Sequence, residues 1–135
     1  MENENYLKGR GSQINTHNRF HNQKLVREHW EGIDEADDAD IKTDFIEVFP
    51  KTIINKVDSP DIGAVYSMNP YQGCEHGCIY CYARNSHEYW GYSAGLDFER
   101  KILVKKNAPE LLEQTFKKKN YEPCPIMFSG NTDCY

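Results

Sequence analysis

The run Asn69-Pro-Tyr-Gln-Gly-Cys-Glu-His-Gly-Cys-Ile-Tyr-Cys-Tyr-Ala-Arg84 carries Cys74, Cys78 and Cys81 in the spacing C-x3-C-x2-C, with Tyr80 just before the last cysteine. Three thiolates this close together hold three irons of a four-iron cubane and leave the fourth iron with an open coordination position. An open iron makes such a cluster catalytic, because a substrate or cofactor chelates it directly. Gly73 and Gly77 flank Cys74-Glu-His76 and let the backbone fold tightly round a bulky inorganic group. Two blander readings compete with this one. A structural zinc site takes four ligands, usually as two pairs. Only one compact group is present here, and His76 or the distant Cys124 and Cys134 are the candidates to complete it. A disulfide framework fits less well. The cysteine total of five is odd, and Met1-Glu-Asn-Glu-Asn-Tyr6 shows neither the basic nor the apolar region of a signal peptide.

The cysteine run resembles the radical S-adenosylmethionine (radical SAM) superfamily, whose hallmark is C-x3-C-x-aromatic-C. Asp58-Ser-Pro-Asp-Ile-Gly63, Ser86-His-Glu-Tyr89, Ser93-Ala-Gly-Leu-Asp-Phe98, Asn107-Ala-Pro-Glu-Leu-Leu112 and Ser129-Gly-Asn-Thr-Asp-Cys-Tyr135 are similar to one uncharacterised bacterial branch. That branch is related to spore photoproduct lyase, a DNA repair enzyme. A weaker echo lies in Lys8-Gly-Arg-Gly11 and Asn18-Arg-Phe20. Gln72 departs from the family's frequent Arg, and Asn85 from its frequent Pro.

The resemblance implies an α/β fold: the N-terminal part of a partial (β/α)6 radical SAM barrel, truncated, with a polar N-terminal extension. Residues 1–44 would be that extension, flexible in character, and residues 45–135 the incomplete start of the barrel. The family's pattern runs on beyond Tyr135, so a fragment, inactive by itself, is the expectation. Cys74, Cys78 and Cys81 would ligate a [4Fe–4S] cluster whose open iron chelates the amino and carboxylate groups of S-adenosylmethionine. Reductive cleavage of the C5′–S bond would then yield methionine and a 5′-deoxyadenosyl radical that abstracts hydrogen from an unidentified substrate. The electron would come from a reductant such as flavodoxin or ferredoxin. Tyr80 would pack near the adenine, with a plain core aromatic as its alternative. Ser129, Asn131 and Asp133 would face the amino or ribose groups of the cofactor, or be ordinary polar residues at a strand end. Arg84 and His87 position substrate or pair with Glu88 or Asp97. Cys124 lies outside the family pattern and reads as inert, and Cys134, beside Asp133, as a structural thiol or one at the edge of the cluster or substrate site. The rival from another class is a small zinc or iron–sulfur electron-transfer module without catalysis.

Composition bounds these readings. A chain of 135 residues fits one domain at most. No run approaches the ~18–20 apolar residues of a membrane span, and the mean hydropathy is −0.80. The net charge of −5 opposes non-specific nucleic-acid binding, so kinship with a DNA repair enzyme gains no support from charge. Low-potential clusters and free thiols both suit the cytoplasm.

Along the chain, the acidic run Asp34-Glu-Ala-Asp-Asp-Ala-Asp40 reads as a solvated linker, and His17, His21 and His29 as exposed. Phe45 to Val57 alternates in part and is broken by Pro50, which predicts a short strand or an extended lead-in on each side. Ser59-Pro-Asp-Ile-Gly63 is turn chemistry. Ala64–Met68 predicts the first barrel strand, with the cysteine loop at its carboxyl end, where (β/α) barrels keep their working groups. Ile79–Arg84 begins a helix, Lys101–Lys105 is the next strand, and Ile126–Phe128 a further one. Asn107–Asn120 predicts a helix with Asn107 as N-cap, Glu110 completing a capping box, and Pro123 and Pro125 beyond its end.

Overall fold

The computed structural model describes residue 7 and residues 9–21, 42–61 and 63–133. The acidic run, His29 and Cys134 lie outside the described residues. The strands are β1 (Asp44–Val48), β2 (Ile54–Ser59), β3 (Gly63–Met68), β4 (Tyr71–Gln72), β5 (Lys101–Lys105) and β6 (Ile126–Phe128). A 3-10 helix covers Tyr82–Trp90, and two α-helices follow, α1 (Leu96–Arg100) and α2 (Ala108–Phe116).

Turn chemistry makes the first pairing. Gly63 takes φ +71°, and the chain reverses there to set β2 antiparallel to β3, with Ile54 opposite Met68 and Ser59 opposite Gly63. The other edge of β3 accepts β6 in parallel, Tyr66 opposite Ile126 and Met68 opposite Phe128. In the second sheet β5 lies between β1, parallel to it, and the short antiparallel β4. Among the described residues the architecture is therefore two mixed sheets of three strands each, ordered β2-β3-β6 and β1-β5-β4, with three short helices.

This overturns the expected N-terminal part of a (β/α)6 barrel. Such a barrel needs successive parallel strands, each returned to its neighbour by a covering helix. Here both edges of β3 are taken by β2 and β6, so β5 has no place beside it and pairs with β1 instead. The stretch between β4 and β5 is used by the cysteine loop, the 3-10 helix and five-residue α1 rather than by a long crossover helix. No helix among the described residues is long and apolar enough to cross a membrane.

The buried apolar side chains, Phe98, Leu103, Ile102, Leu96, Ile53, Ala83 and Ala108, gather mainly on β5, α1 and the flanking helices. His87 is fully buried with them, its ring edge-on to Phe98 at 5.6 Å and tilted against Tyr92 at 5.4 Å. Neither of its ring nitrogens has a hydrogen-bond partner among the described residues. The backbones of Asp97 and Lys101 lie close but outside hydrogen-bond geometry. Loss of solvation is the main cause that pushes His87 down to about 4, against a raising influence from the Asp97 carboxylate.

Helix α2 is shorter than Asn107–Asn120, and its capping box does not form. Asn107 occupies the N-cap with φ −89° and ψ 13°, so its side chain makes no cap bond. Its amide donates instead to the Pro50 carbonyl at 2.8 Å, tying α2 to the segment after β1.

The buried neutral imidazole makes folding pH-dependent. The unfolded chain takes up the His87 proton below the ordinary value of 6.5, and the folded chain only near 4. Stability is therefore complete above pH 6.5 and declines as pH falls towards 4. Replacing His87 with Leu should remove up to roughly 3 kcal/mol of this pH-dependent loss, seen as a flatter pH profile of urea midpoints.

Candidate metal centre

The cysteine loop leaves β4 and is held from behind by α1. Cys74 donates its backbone N–H to the Phe98 carbonyl at 2.9 Å. Gly73 has φ +92°, and a Cβ there would stand 2.9 Å from the same carbonyl oxygen and 3.0 Å from that of Lys101. Only glycine permits both that conformation and that approach. Gly77 has φ +66°, and its Cβ position lies 3.0 Å from Glu99 Oε2 and 3.1 Å from the Gly11 nitrogen.

Glu99 is fully buried and gathers three donors. Its Oε1 accepts from Arg84 Nη2 at 2.6 Å and from the Ser12 N–H at 2.7 Å, while Oε2 accepts from the Gly11 N–H at 3.1 Å. A carboxylate removed from water survives only with such compensation. Arg84 thus pairs with Glu99, not with Glu88 or Asp97. Glu88 pairs with Arg19 at 2.9 Å, and Asp97 with Lys101 at 3.2 Å.

Through Glu99, residues 9–21 become part of the site. Arg10 Nη1 donates to the Glu99 carbonyl at 3.0 Å, and Arg10 Nη2 to Thr43 Oγ1 at 3.1 Å. Thr43 in turn donates to the Glu75 carboxylate inside the loop. Leu96 N–H donates to the Ile14 carbonyl at 3.0 Å, and Asn18 Nδ2 reaches the Glu88 and Tyr92 carbonyls, both at 3.0 Å.

The loop after β6 closes the other side. Ser129, at φ +57°, donates its N–H to the Met68 carbonyl at 3.0 Å. Asn131 donates its N–H to Asn69 Oδ1 at 3.1 Å and its amide to Gln72 Oε1 at 3.0 Å. Thr132 Oγ1 donates to the Gly73 carbonyl at 2.7 Å, Tyr82 Oη to that of Gly130 at 2.5 Å, and His76 Nε2 lies 3.5 Å from Asp133 Oδ2. Parallel pairing of β3 with β6 brings these two carboxyl-end loops together.

The structure therefore sets Ser129, Asn131 and Asp133 against the cysteine loop, and it uses Asn131 to brace Gln72. Tyr80 stands beside Cys81, 87 % exposed and outside the core. Cys74 and Cys81 are half-buried, Cys78 is exposed, and Cys74, Cys78, Cys81 and Cys124 are all free thiols. Cys124 lines a separate cavity of about 390 Å³ with Ile54, Tyr66, Tyr121 and Ile126. Glu99 and Ser12 carry no signal in the sequence, whereas Gly11 and Thr132 lie inside the quoted motifs without a role assigned to either one. Leu96-Asp-Phe-Glu-Arg100 looks like an ordinary amphipathic turn, and nothing local shows that Glu99 faces inward.

Among the described residues, no three His, Cys, Asp or Glu side chains gather tightly enough to hold one metal ion. A single zinc draws its thiolates in to Zn–S distances of roughly 2.3 Å, whereas a cubane keeps its cysteine sulfurs farther apart round a larger body. Three free thiols on one braced loop are donors that either group accepts.

No family model matches the chain, and no solved structure matches it. It is 36 % identical over 94 residues to an uncharacterised protein of Mycobacterium tuberculosis, covering 67 % of this chain and 27 % of that protein. An uncharacterised protein of Mycobacterium bovis gives the same figures. An uncharacterised protein of Methanocaldococcus jannaschii is 35 % identical over 72 residues, covering 53 % of this chain and 26 % of its own length. The chain spans about a quarter of the length of the curated relatives it matches.

Two outcomes follow from this geometry. In the metal-free chain, iodoacetamide should label exposed Cys78 faster than half-buried Cys74 and Cys81, as site-resolved mass spectrometry will read. A Cβ on Gly11 would stand 1.7 Å from the Gly77 oxygen. Gly11→Ala should therefore cost about 1–3 kcal/mol in urea unfolding.

Proposed function

We propose that Cys74, Cys78 and Cys81 hold a [4Fe–4S] cluster with one open iron, and that the protein acts with S-adenosylmethionine in radical chemistry. The supporting observation is the C-x3-C-x2-C loop itself: its three thiols are free and its backbone is braced by α1, residues 10–12 and the loop after β6. When bound, the cluster and S-adenosylmethionine supply one-electron cleavage of a sulfonium and a 5′-deoxyadenosyl radical.

The chain's own residues bind and orient. The three cysteines must give up their protons to serve as ligands, so uptake is favoured at higher pH. The exposed Tyr80 ring offers an apolar face beside the last ligand, suited to a purine. Asp133 and Ser129 supply polar groups on the facing loop, while Asn131 and Thr132 fix that loop to Gln72 and Gly73. A reductant such as flavodoxin or ferredoxin would deliver the electron, in the cytoplasm. The substrate class stays open, and the charge of −5 gives nucleic acid no support.

A second reading has one observation in its favour. His76 faces Asp133 at 3.5 Å, and metal-ligating histidines commonly hold a carboxylate on the other ring nitrogen. His76 would then close the site and leave a binding or electron-transfer module.

Anaerobic iron–sulfide reconstitution separates the two. The open site should take up about four irons per chain, and the EPR signal of its reduced form should shift on adding S-adenosylmethionine. Single Cys74→Ala, Cys78→Ala or Cys81→Ala changes should abolish cluster retention, while Cys124→Ala should not. A signal indifferent to S-adenosylmethionine, or preferential zinc uptake, rejects the open-site reading.

A further inference from the structure

We propose that Arg84 is the positioning residue of the cysteine loop, held in place by Glu99, and that it makes cluster retention depend on the N-terminal Gly11–Ser12 segment. This rests on the cluster reading above.

The guanidinium carries five N–H donors, and all five are committed. Nε donates to the Cys78 carbonyl at 2.9 Å. One Nη2 hydrogen goes to the Gly77 carbonyl at 3.0 Å and the other to Glu99 Oε1 at 2.6 Å. Nη1 serves the Gly95 carbonyl at 3.0 Å and that of Ala94 at 3.3 Å. The side chain is 10 % exposed, and its planar head also lies over the Phe98 ring at 5.3 Å. One rigid fork thus joins two consecutive carbonyls of the cysteine loop to two carbonyls ahead of α1.

Peptide geometry turns this into a consequence for the ligands. In a trans peptide the N–H points opposite to the C=O. With the Gly77 and Cys78 carbonyls turned to Arg84, the N–H groups of Cys78 and Ile79 face away from it. The loop's amides are left directed to the side opposite the guanidinium, and such amides tune and hold cluster sulfurs. The Cys78 carbonyl also accepts from the Cys81 N–H at 3.1 Å, so the same peptide fixes the spacing of the second and third ligands.

Glu99 neutralises Arg84 locally, which makes the role geometric rather than one of added positive charge. It also receives the Gly11 and Ser12 N–H groups, so the fork, the loop and residues 11–12 share one carboxylate. Lysine keeps the charge but has neither the plane nor five donors.

The test uses the full chain as wild type, Arg84→Lys and Glu99→Gln. Folding is checked by circular dichroism melts. Iron loss to the chelator bathophenanthroline is timed after anaerobic reconstitution. Iodoacetamide labelling of each cysteine is timed in the metal-free state, with Cys124 as the internal reference. Folded Arg84→Lys should lose iron about tenfold faster and label Cys74 and Cys81 about tenfold faster, the scale of one charge-assisted hydrogen bond. Cys124 should label at the wild-type rate. Glu99→Gln, which leaves Arg84 in the chain, should change the same readouts in the same direction, and it decides the matter should Arg84→Lys fail to fold. Variants that fold and match wild type, or that speed labelling at the three loop cysteines and Cys124 alike, overturn the positioning role alone. A wild-type chain that takes up no iron overturns the cluster reading and this proposal with it.

Discussion

A single buried ion pair, Arg84 with Glu99, organises this molecule. A carboxylate with no exposure costs several kcal/mol unless donors surround it, and its surroundings are built to supply them. The three donors come from two segments far apart in sequence: the 3-10 helix through Arg84, and the backbone of Gly11 and Ser12. Once Glu99 is committed, the N-terminal segment must approach the cysteine loop closely. That approach explains why glycines occupy positions 11 and 77, where a side chain would strike the facing backbone or carboxylate.

The site lies where the two sheets meet. β4 pairs with β5 in one sheet, while β3, just before it, pairs with β6 in the other. The turn Asn69-Pro70 joins them, and Asn69, Gln72 and Gly73 receive the loop after β6. Neither sheet is large, and among the described residues the buried apolar side chains are few. Much of the cohesion near the cysteines is polar: carbonyls met by Arg84, and loop amides met by Asn69 and Gln72. Networks of this kind rigidify when fully satisfied and fail when one member is lost. His87 is the exception, an imidazole kept dry and neutral between Phe98 and Tyr92.

Local signals were legible and long-range pairings were not. Lys101–Lys105 and Ile126–Phe128 read as strands and are strands, because alternation and turn residues act over a few positions. The helix expected over Asn107–Asn120 forms only as Ala108–Phe116, and its cap residue turns to Pro50, a partner that no local rule could name. The barrel inference failed at the level of strand order. The hairpin at Ser59–Gly63 and the pairing with β6 use both edges of β3, so β5 turns to β1. For Arg84 the sequence offers substrate positioning or a pairing with Glu88 or Asp97, and the structure pairs it with Glu99. Glu88 stands one helical turn on but is taken by Arg19, Asp97 pairs with Lys101, and the fully buried Glu99 is left to Arg84.

The amino-acid sequence alone determined the chemistry on offer: three thiols in the spacing C-x3-C-x2-C, an aromatic beside the last, flanking glycines, and an acidic composition of low mean hydropathy. These are properties of residue type and short spacing, which survive in any fold. Only the tertiary structure decided the two-sheet architecture, the partner of Arg84, the meeting of the cysteine loop with Ser129–Asp133, and the enlistment of Gly11 and Ser12. Those depend on which edges and buried charges remain unsatisfied after the local elements form, a competition that no window of sequence contains.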